Sequence, residues 1–324
     1  MKGFHTQGLV VLFREAPRPD ALDAALAPFR AVPKPVEEPT WIAGDHDGFA
    51  IAAPRGGLAT VHVLARAWPD SMGDPKTDGV LYGAWMTGFF GPFAYPMGLA
   101  RAVRHAYGWE GAAEAVTKHC AFVRVLVTYV AGAKPDAPVL PEGYDARAEL
   151  DFATAIAAAI AAIPGALAYF DPSGEVLLPP EELGPRLADG LGQARPAIDA
   201  WTNVRIGRVD EAPPWILMDT VGLAQLDRDD LEACFPGDRV EPDEVARFLR
   251  NVSLYVVERG DVIKDGHTLD GPNGRWRAWR TEQGLMDPPR PTLRMFPEVA
   301  GTAPALLRKG TGAEAKGFWS RFFG

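Results

Sequence analysis

Cysteine is nearly missing from this chain: Cys120 and Cys234 are the only two in 324 residues, and they stand 114 positions apart. No CxxC pair and no disulfide framework can be built from them, and a chain this long needs neither to bury a core. A basic excess is also missing. The formal charge of −9 excludes a general nucleic-acid binder, because phosphate contacts need a basic face. Long apolar runs are lacking too. The longest, AIAAAIAAIPGALAYF, is alanine-rich and broken by Pro164-Gly165, so membrane insertion is not expected. The opening MKGFHTQGLVVLFRE has too short an apolar run for a signal-peptide core, and no small-residue cleavage site follows it. The expected setting is a reducing cytoplasm.

The motifs that announce chemistry are absent as well. There is no GxxxxGK[ST], no GxGxxG after a strand, no GxSxG elbow and no zinc spacing. The six histidines, His5, His46, His62, His105, His119 and His267, form no HxH or HExxH pair. No cofactor and no metal centre is expected on these grounds.

What is present is ordinary globular composition, with 47% hydrophobic and 23% charged residues. GLVVLF (8–13) reads as a buried first strand, followed by a helix through DALDAALAPF with Asp20 as its N-cap. WIAG, GFAIAAP and ATVHVLA read as three short strands. Two short helices, around PMGLARAVRHAYGW and EGAAEAVTKH, precede CAFVRVLVTYV, which is apolar on both faces and fits a central strand. AGAKPDAPVLPEGY carries three prolines in fourteen residues and is the best linker candidate. Asp145 then caps a long helix that Pro164-Gly165 stops. The second half repeats the alternation loosely: ALAYF a strand, PEELGPRLADGLG a helix, WTNVRIGRV with WILMDTVG a strand pair, DEVARFLRN a helix and SLYVVERG a strand. These elements predict an α+β fold with mixed, largely antiparallel sheets flanked by helices. Two packed halves are expected, at 1–135 and 136–324, the second ending in an aromatic tail with Phe318, Trp319, Phe322 and Phe323.

The most unusual stretch is AWPDSMGDPKTDGVLYGAWMTGFFGPFAYP (67–96). Asp70, Asp74 and Asp78 would share a face only on a helix, which Gly73 and Pro75 interrupt. Oxygen ligands on a loop could hold Mg²⁺ or Ca²⁺, but the ordered spacing of a calcium loop is absent and Lys76 competes for the same carboxylates. Asp74 and Asp78 read better as turn and cap residues. Trp85, Phe89, Phe90, Phe93 and Tyr95 form a proline-stiffened aromatic loop, suited either to recognition or to plugging a core. With Asp70, Asp74, Lys76 and Asp78 they make the candidate binding surface.

Polar residues inside apolar strands are the other signal. Arg124 interrupts AFVRVLV, Asn203 and Arg205 interrupt WTNVRIG, and Asp219 and Thr220 close WILMDT. A buried arginine needs a carboxylate or comparable partners, and Asp219 is the obvious one. Such a set is either a structural ion pair or a polar cleft that grips an anion, with His119, Arg124, Arg205 and Asp219 as candidate catalytic residues. Asp265, His267 and Asp270 in DVIKDGHTLDGPNG offer three further ligands, though Asp-Gly twice over reads more simply as a hairpin loop.

Several stretches taken together, among them WPDSMGDPKTD, HCAFVRV, DAPVLPEGYD, PGALAYFDPSGEVL, WTNVRI, LMDTVGLAQLD, VARFLRN and DGHTLDGP, resemble a bacterial family known as domain of unknown function 4261, over roughly residues 9 to 295. The resemblance implies a bacterial cytoplasmic protein, supplies no catalytic residue or cofactor, and associates the chain with conflict or secretion loci. The leading expectation is a non-catalytic binding protein, of the immunity or secretion-accessory kind, that engages a toxin or secretion component. The alternative is an enzyme acting on an anionic small molecule or phosphoester, with Arg124 and Arg205 on the anion and Asp74, His119 and Asp219 binding metal or moving protons.

Overall fold

The computed structural model describes residues 2–131, 138–193, 195–209, 214–298 and 303–308. The chain divides into two compact units, Met1–Trp201 and Thr202–Gly324. The aromatic tail lies outside the described residues, as do positions 132–137 of the expected linker.

The first unit is built on seven strands: β1 (Gln7–Phe13), β2 (Val32–Lys34), β3 (His46–Ala52), β4 (Leu58–Leu64), β5 (Ala121–Thr128), β6 (Ala166–Asp171) and β7 (Val176–Leu178). Their spatial order is β2-β3-β4-β5-β1-β6-β7, with every neighbour antiparallel. β1 and β5 are buried along their whole length, which is why both read as continuous apolar runs rather than alternating ones. Val10, Leu12, Phe122, Ala168 and Phe170 pack with Trp68, Trp85, Phe90, Leu99 and Ala102 from the chain between β4 and β5. Leu9, Val11 and Phe13 alternate to the opposite face. The helix Ala146–Ala161 packs along β1 and β5 and begins at Asp145, whose carboxylate accepts from the Arg147 and Ala148 amides.

Three local expectations are corrected here. WIAG is a turn, not a strand: Thr40 Oγ1 accepts from the Ile42 and Ala43 amides, and Thr40 and Gly44 bridge across it. Its place in the sheet is taken by the short edge strand β2. Asp20 is not the cap of the first helix, Pro19–Leu26; Arg18 holds that position, and the Asp20 carboxylate pairs with its guanidinium. The break expected at residue 135 is not where the units divide, because β6 and β7 add to the first sheet beside β1.

The second unit holds β8 (Asn203–Val209), β9 (Trp215–Val221), β10 (Asp230–Pro236), β11 (Thr268–Gly271), β12 (Gly274–Thr281) and β13 (Thr292–Pro297). The order is β11-β12-β13-β10-β9-β8, antiparallel except for the β10–β13 pair. The helix Pro242–Arg259 follows β10 and packs against it, with Phe248 5.2 Å from the Trp276 ring. SLYVVERG, expected as a strand, is the end of this helix. Val245, Phe248, Leu249, Val252, Ser253 and Val256 are its buried residues, and that unbroken helical period outweighs the β-branched pair. Each unit thus runs strand, helix, then a three-strand meander (β1 to β4, β10 to β13), with β5 intercalated in the first. The α+β class with largely antiparallel sheets is the one expected.

Candidate functional site

The stretch 67–97 folds as two turns and a helix laid on the first sheet. Asp70 is a cap at a distance: its two carboxylate oxygens accept from the Leu99 and Ala100 amides at 2.9 and 2.8 Å, at the start of the helix Gly98–Arg104. Burial raises its pKa even against those two amides. Asp74 accepts from the Lys76 amide at 2.7 Å, and Asp78 from the Asp74 amide at 3.1 Å, so these exposed carboxylates close their own turn. Asp78 then precedes the helix Gly79–Met86. Among the described residues, no group of three His, Cys, Asp or Glu could hold a metal ion.

The aromatic loop divides into core and rim. Phe90 is buried, stacked on Trp85 at 4.5 Å and edge-on to Trp68 at 5.1 Å, and Trp68 in turn meets Phe122 and Phe170 at 5.3 Å each. Trp85 and Phe90 are therefore a core plug. Phe93 is half-buried, and Tyr95 is 42% exposed, near in sequence to Val80, Met86 and Met97 at 53%, 64% and 53%. The loop reaches the sheet through glycine: a Cβ on Gly8 of β1 would sit 2.8 Å from Gly91 Cα.

Phe89 turns toward Arg124, and here the expected ion pair is absent. Arg124 is 1% exposed on β5. Its Nε donates to His62 Nδ1 at 3.1 Å, Nη1 to the Phe89 carbonyl at 3.1 Å, and Nη2 to the Trp41 and Ile42 carbonyls at 2.7 Å each. Its guanidinium also lies 5.2 Å from the Phe89 ring centroid. Every one of these partners is neutral. Burial lowers its pKa to about 9, and Asp45, whose charge acts against that, is itself paired with Arg66. Arg124 is thus protonated at neutral pH, and it pins the turn at 41–42 and the aromatic loop to one strand.

Two histidines flank it. His62 faces Arg124 across the β4–β5 pair and must carry its proton on Nε2, since Nδ1 accepts. His5 meets the Phe4 ring edge-on at 4.8 Å and the Phe89 ring at 4.6 Å. Both of its ring nitrogens are buried without a hydrogen-bond partner. Burial, then the Arg124 charge, lowers its pKa to about 3. Because that lies below the ordinary value of about 6.5, His5 contributes stability that is complete above pH ~6.5 and is lost as the unfolded chain takes up a proton on acidification. His5→Phe is therefore expected to flatten the loss of stability between pH 6 and 4 by about 1.4 kcal/mol per pH unit, measured by urea unfolding across that range. Equal slopes for the two proteins would contradict it.

His119 does not join this group. Its Nε2 accepts from the Trp68 amide at 2.9 Å and its Nδ1 bonds the Val116 carbonyl, so both nitrogens serve the backbone. Burial leads in lowering its pKa.

In the second unit, Arg205 and Asp219 do pair, as a buried two-point contact at 3.0 and 2.6 Å. They belong to a row that crosses five strands in register: Trp279, Arg294, Glu232, Asp219 and Arg205. Arg294 bonds Glu232 at 2.7 Å. Arg290 reaches in from the segment 282–291, pairing with Asp219 and with Asp230 at 3.0 Å. Three guanidiniums thus meet three carboxylates. Burial pushes the Asp219 carboxyl up, but Arg205 and Arg290 outweigh it and hold it below the usual range; for Asp230 burial prevails and the shift is upward. The Asp287 carbonyl accepts from Arg205 at 2.7 Å and the Leu285 amide donates to Glu232, so the row also ties down that segment. Asp230, Glu232, Arg290 and Arg294 escaped the sequence reading. For Asp230, Glu232 and Arg294 a signal was available in DLEACF and TLRMF, where charge alternates with apolar residues as it does at Arg205. Asp265 and His267 bond the Arg280 and Lys264 amides, and β11 and β12 form a hairpin around Pro272-Asn273.

Residues 219–295 match the family described as Domain of unknown function (DUF4261). The match runs from the end of β9 through most of β13 and includes every charged member of the row except Arg205; of the stretches quoted for the resemblance, VARFLRN and DGHTLDGP fall inside it, LMDTVGLAQLD straddles its start and the others precede it. Comparison with curated proteins and with solved structures returns no match. No helix among the described residues is long and apolar enough to cross a membrane.

Proposed function

We propose that the chain, whose residues 219–295 resemble that domain of unknown function, is a non-catalytic cytoplasmic protein that binds another protein. The observation carrying this reading is that the side chains a reaction would use are already engaged. Both His119 nitrogens bond backbone, Arg124 bonds His62 and three carbonyls, Arg205 and Asp219 bond each other, and Asp74 closes its own turn. Arg124 and Arg205 belong to different units. Exposed apolar side chains meanwhile recur along one stretch, at Val80, Met86, Tyr95 and Met97, and methionine suits an adaptable contact surface. The immunity or secretion-accessory role draws on the family resemblance.

The test compares the wild-type chain with Met86→Lys/Met97→Lys as bait in quantitative capture from cells of the source organism. Both positions are exposed, so the variant keeps its fold. A partner retained by the wild type and depleted at least about tenfold by the variant supports the reading, a difference equivalent to about 1.4 kcal/mol. Identical captured sets would overturn it.

A further inference from the structure

The His5–Arg124 cluster leaves a charge and two ring nitrogens unanswered. Arg124 is a buried cation, and no carboxylate among the described residues forms an ion pair with it. An uncompensated buried charge costs several kcal/mol, so folds seldom keep one without a counter-charge. His5, 3% exposed, holds two ring nitrogens that bond nothing, and buried polar groups of this kind call for a water, an ion or a function. The two features are linked by one ring, since Phe89 contacts both His5 and the guanidinium. The residues over the cluster are the ones that reach solvent: Phe4, stacked on Phe89 at 6.1 Å, is 45% exposed, and Ile42, whose carbonyl Arg124 holds, is 40% exposed.

From this geometry we infer that His5 and Arg124 form a binding site for a small carboxylate, entered between Phe4 and Ile42. The anion supplies the missing counter-charge. Four of the five guanidinium N–H groups bond His62 and the three carbonyls, which leaves one for the ligand. Neutral His5 adds a second donor. Two donors and aromatic walls suit a planar carboxylate better than a tetrahedral phosphate, whose extra oxygens would be buried without partners. The site stands independently of the protein-binding reading above.

Histidine ring ¹⁵N resonances, followed while sodium acetate is titrated into the full chain at constant ionic strength, test this directly. Sodium perchlorate and inorganic phosphate serve as controls. A saturable shift of the His5 signals with acetate, weakened at least tenfold in His5→Phe for a reporter on His62, is the expected result. Arg124→Met should abolish it but risks the fold; His5→Phe keeps a ring between Phe4 and Phe89 and removes the two ring nitrogens, the N–H donor among them. A capped aspartyl tripeptide forms a second arm. Acetate binding alone identifies a free acid, and binding of both shows that a partner's carboxylate side chain also fits. A linear, unsaturable response, or equal shifts with all three anions, or an unchanged affinity in His5→Phe, would overturn the assignment.

Discussion

Asp219→Ala is expected to lower the unfolding free energy by about 3–5 kcal/mol, the cost of stranding a buried partner. The carboxylate is fully buried and receives Arg205 through two hydrogen bonds and Arg290 through one, so its loss leaves two guanidiniums inside the second unit facing a cut side chain. Arg290 keeps its bond to Asp230, but Arg205 loses its carboxylate, and the neighbouring acids are already engaged: Glu232 holds Arg294, Thr292 and the Leu285 amide, and Asp230 holds Arg290, Thr220 and the Leu223 amide. The contrast that decides the matter is Arg277→Ala. Arg277 pairs with Glu298 at 2.6 Å, but both side chains are exposed, and such pairs contribute about 0–1 kcal/mol. Urea unfolding followed by far-UV circular dichroism should therefore separate two variants that each delete one salt bridge. Near-equal midpoints would mean that the row is not what holds the segment 282–291 to the sheet.

Why was half of that row legible and half not? Arg205 and Asp219 lie on strands joined by a short connection, so their alternation with apolar neighbours and their proximity in sequence both pointed to a pair. Arg290, Arg294 and Glu232 come together only because β10 and β13 pair in parallel across a 55-residue connection that includes a helix (236 to 292), and no local pattern encodes that register. The same limit explains the misplaced partner of Arg124. A strand-borne arginine signals a buried polar contact, but backbone carbonyls at Trp41, Ile42 and Phe89 leave no trace in the residue types around them. Local rules worked where local physics dominates, as at the Asp145 cap. They failed at SLYVVER, where an eighteen-residue helix carried a strand-like tail along with it. Asp70 combines both cases: its role as a helix cap is what its side chain suggests, but the helix it caps begins 28 residues later, at Gly98.

Gly8→Ala should reverse the usual sign of a glycine replacement. In a strand, exchanging glycine for a residue with a side chain ordinarily stabilises, because glycine loses the most freedom on folding. At Gly8 the new Cβ would lie 2.8 Å from Gly91 Cα and 3.1 Å from Leu126 Cδ2. The first of these is backbone and cannot turn aside. Gly91 itself has φ of 112°, a conformation only glycine adopts easily, so the loop cannot relax by shifting the strain onto its neighbour. Room for the methyl group has to come from lifting the loop, and the loop carries both the Phe89 carbonyl on Arg124 and the Phe90 ring between Trp68 and Trp85. We expect a loss of about 1–3 kcal/mol, the usual range for forcing extra volume into a packed site. Gly8→Val should cost more, and the fluorescence of Trp68 and Trp85 should move to longer wavelength as water gains access to them. Gly83→Ala is the matched control: it lies in the helix Gly79–Met86 with nothing within 4 Å of a new Cβ, so it should stabilise by up to about 1 kcal/mol. If Gly8→Ala proved neutral and left the emission unchanged, the loop would not be seated on β1, and the covering of His5 and Arg124 by Phe89 would lose its anchor.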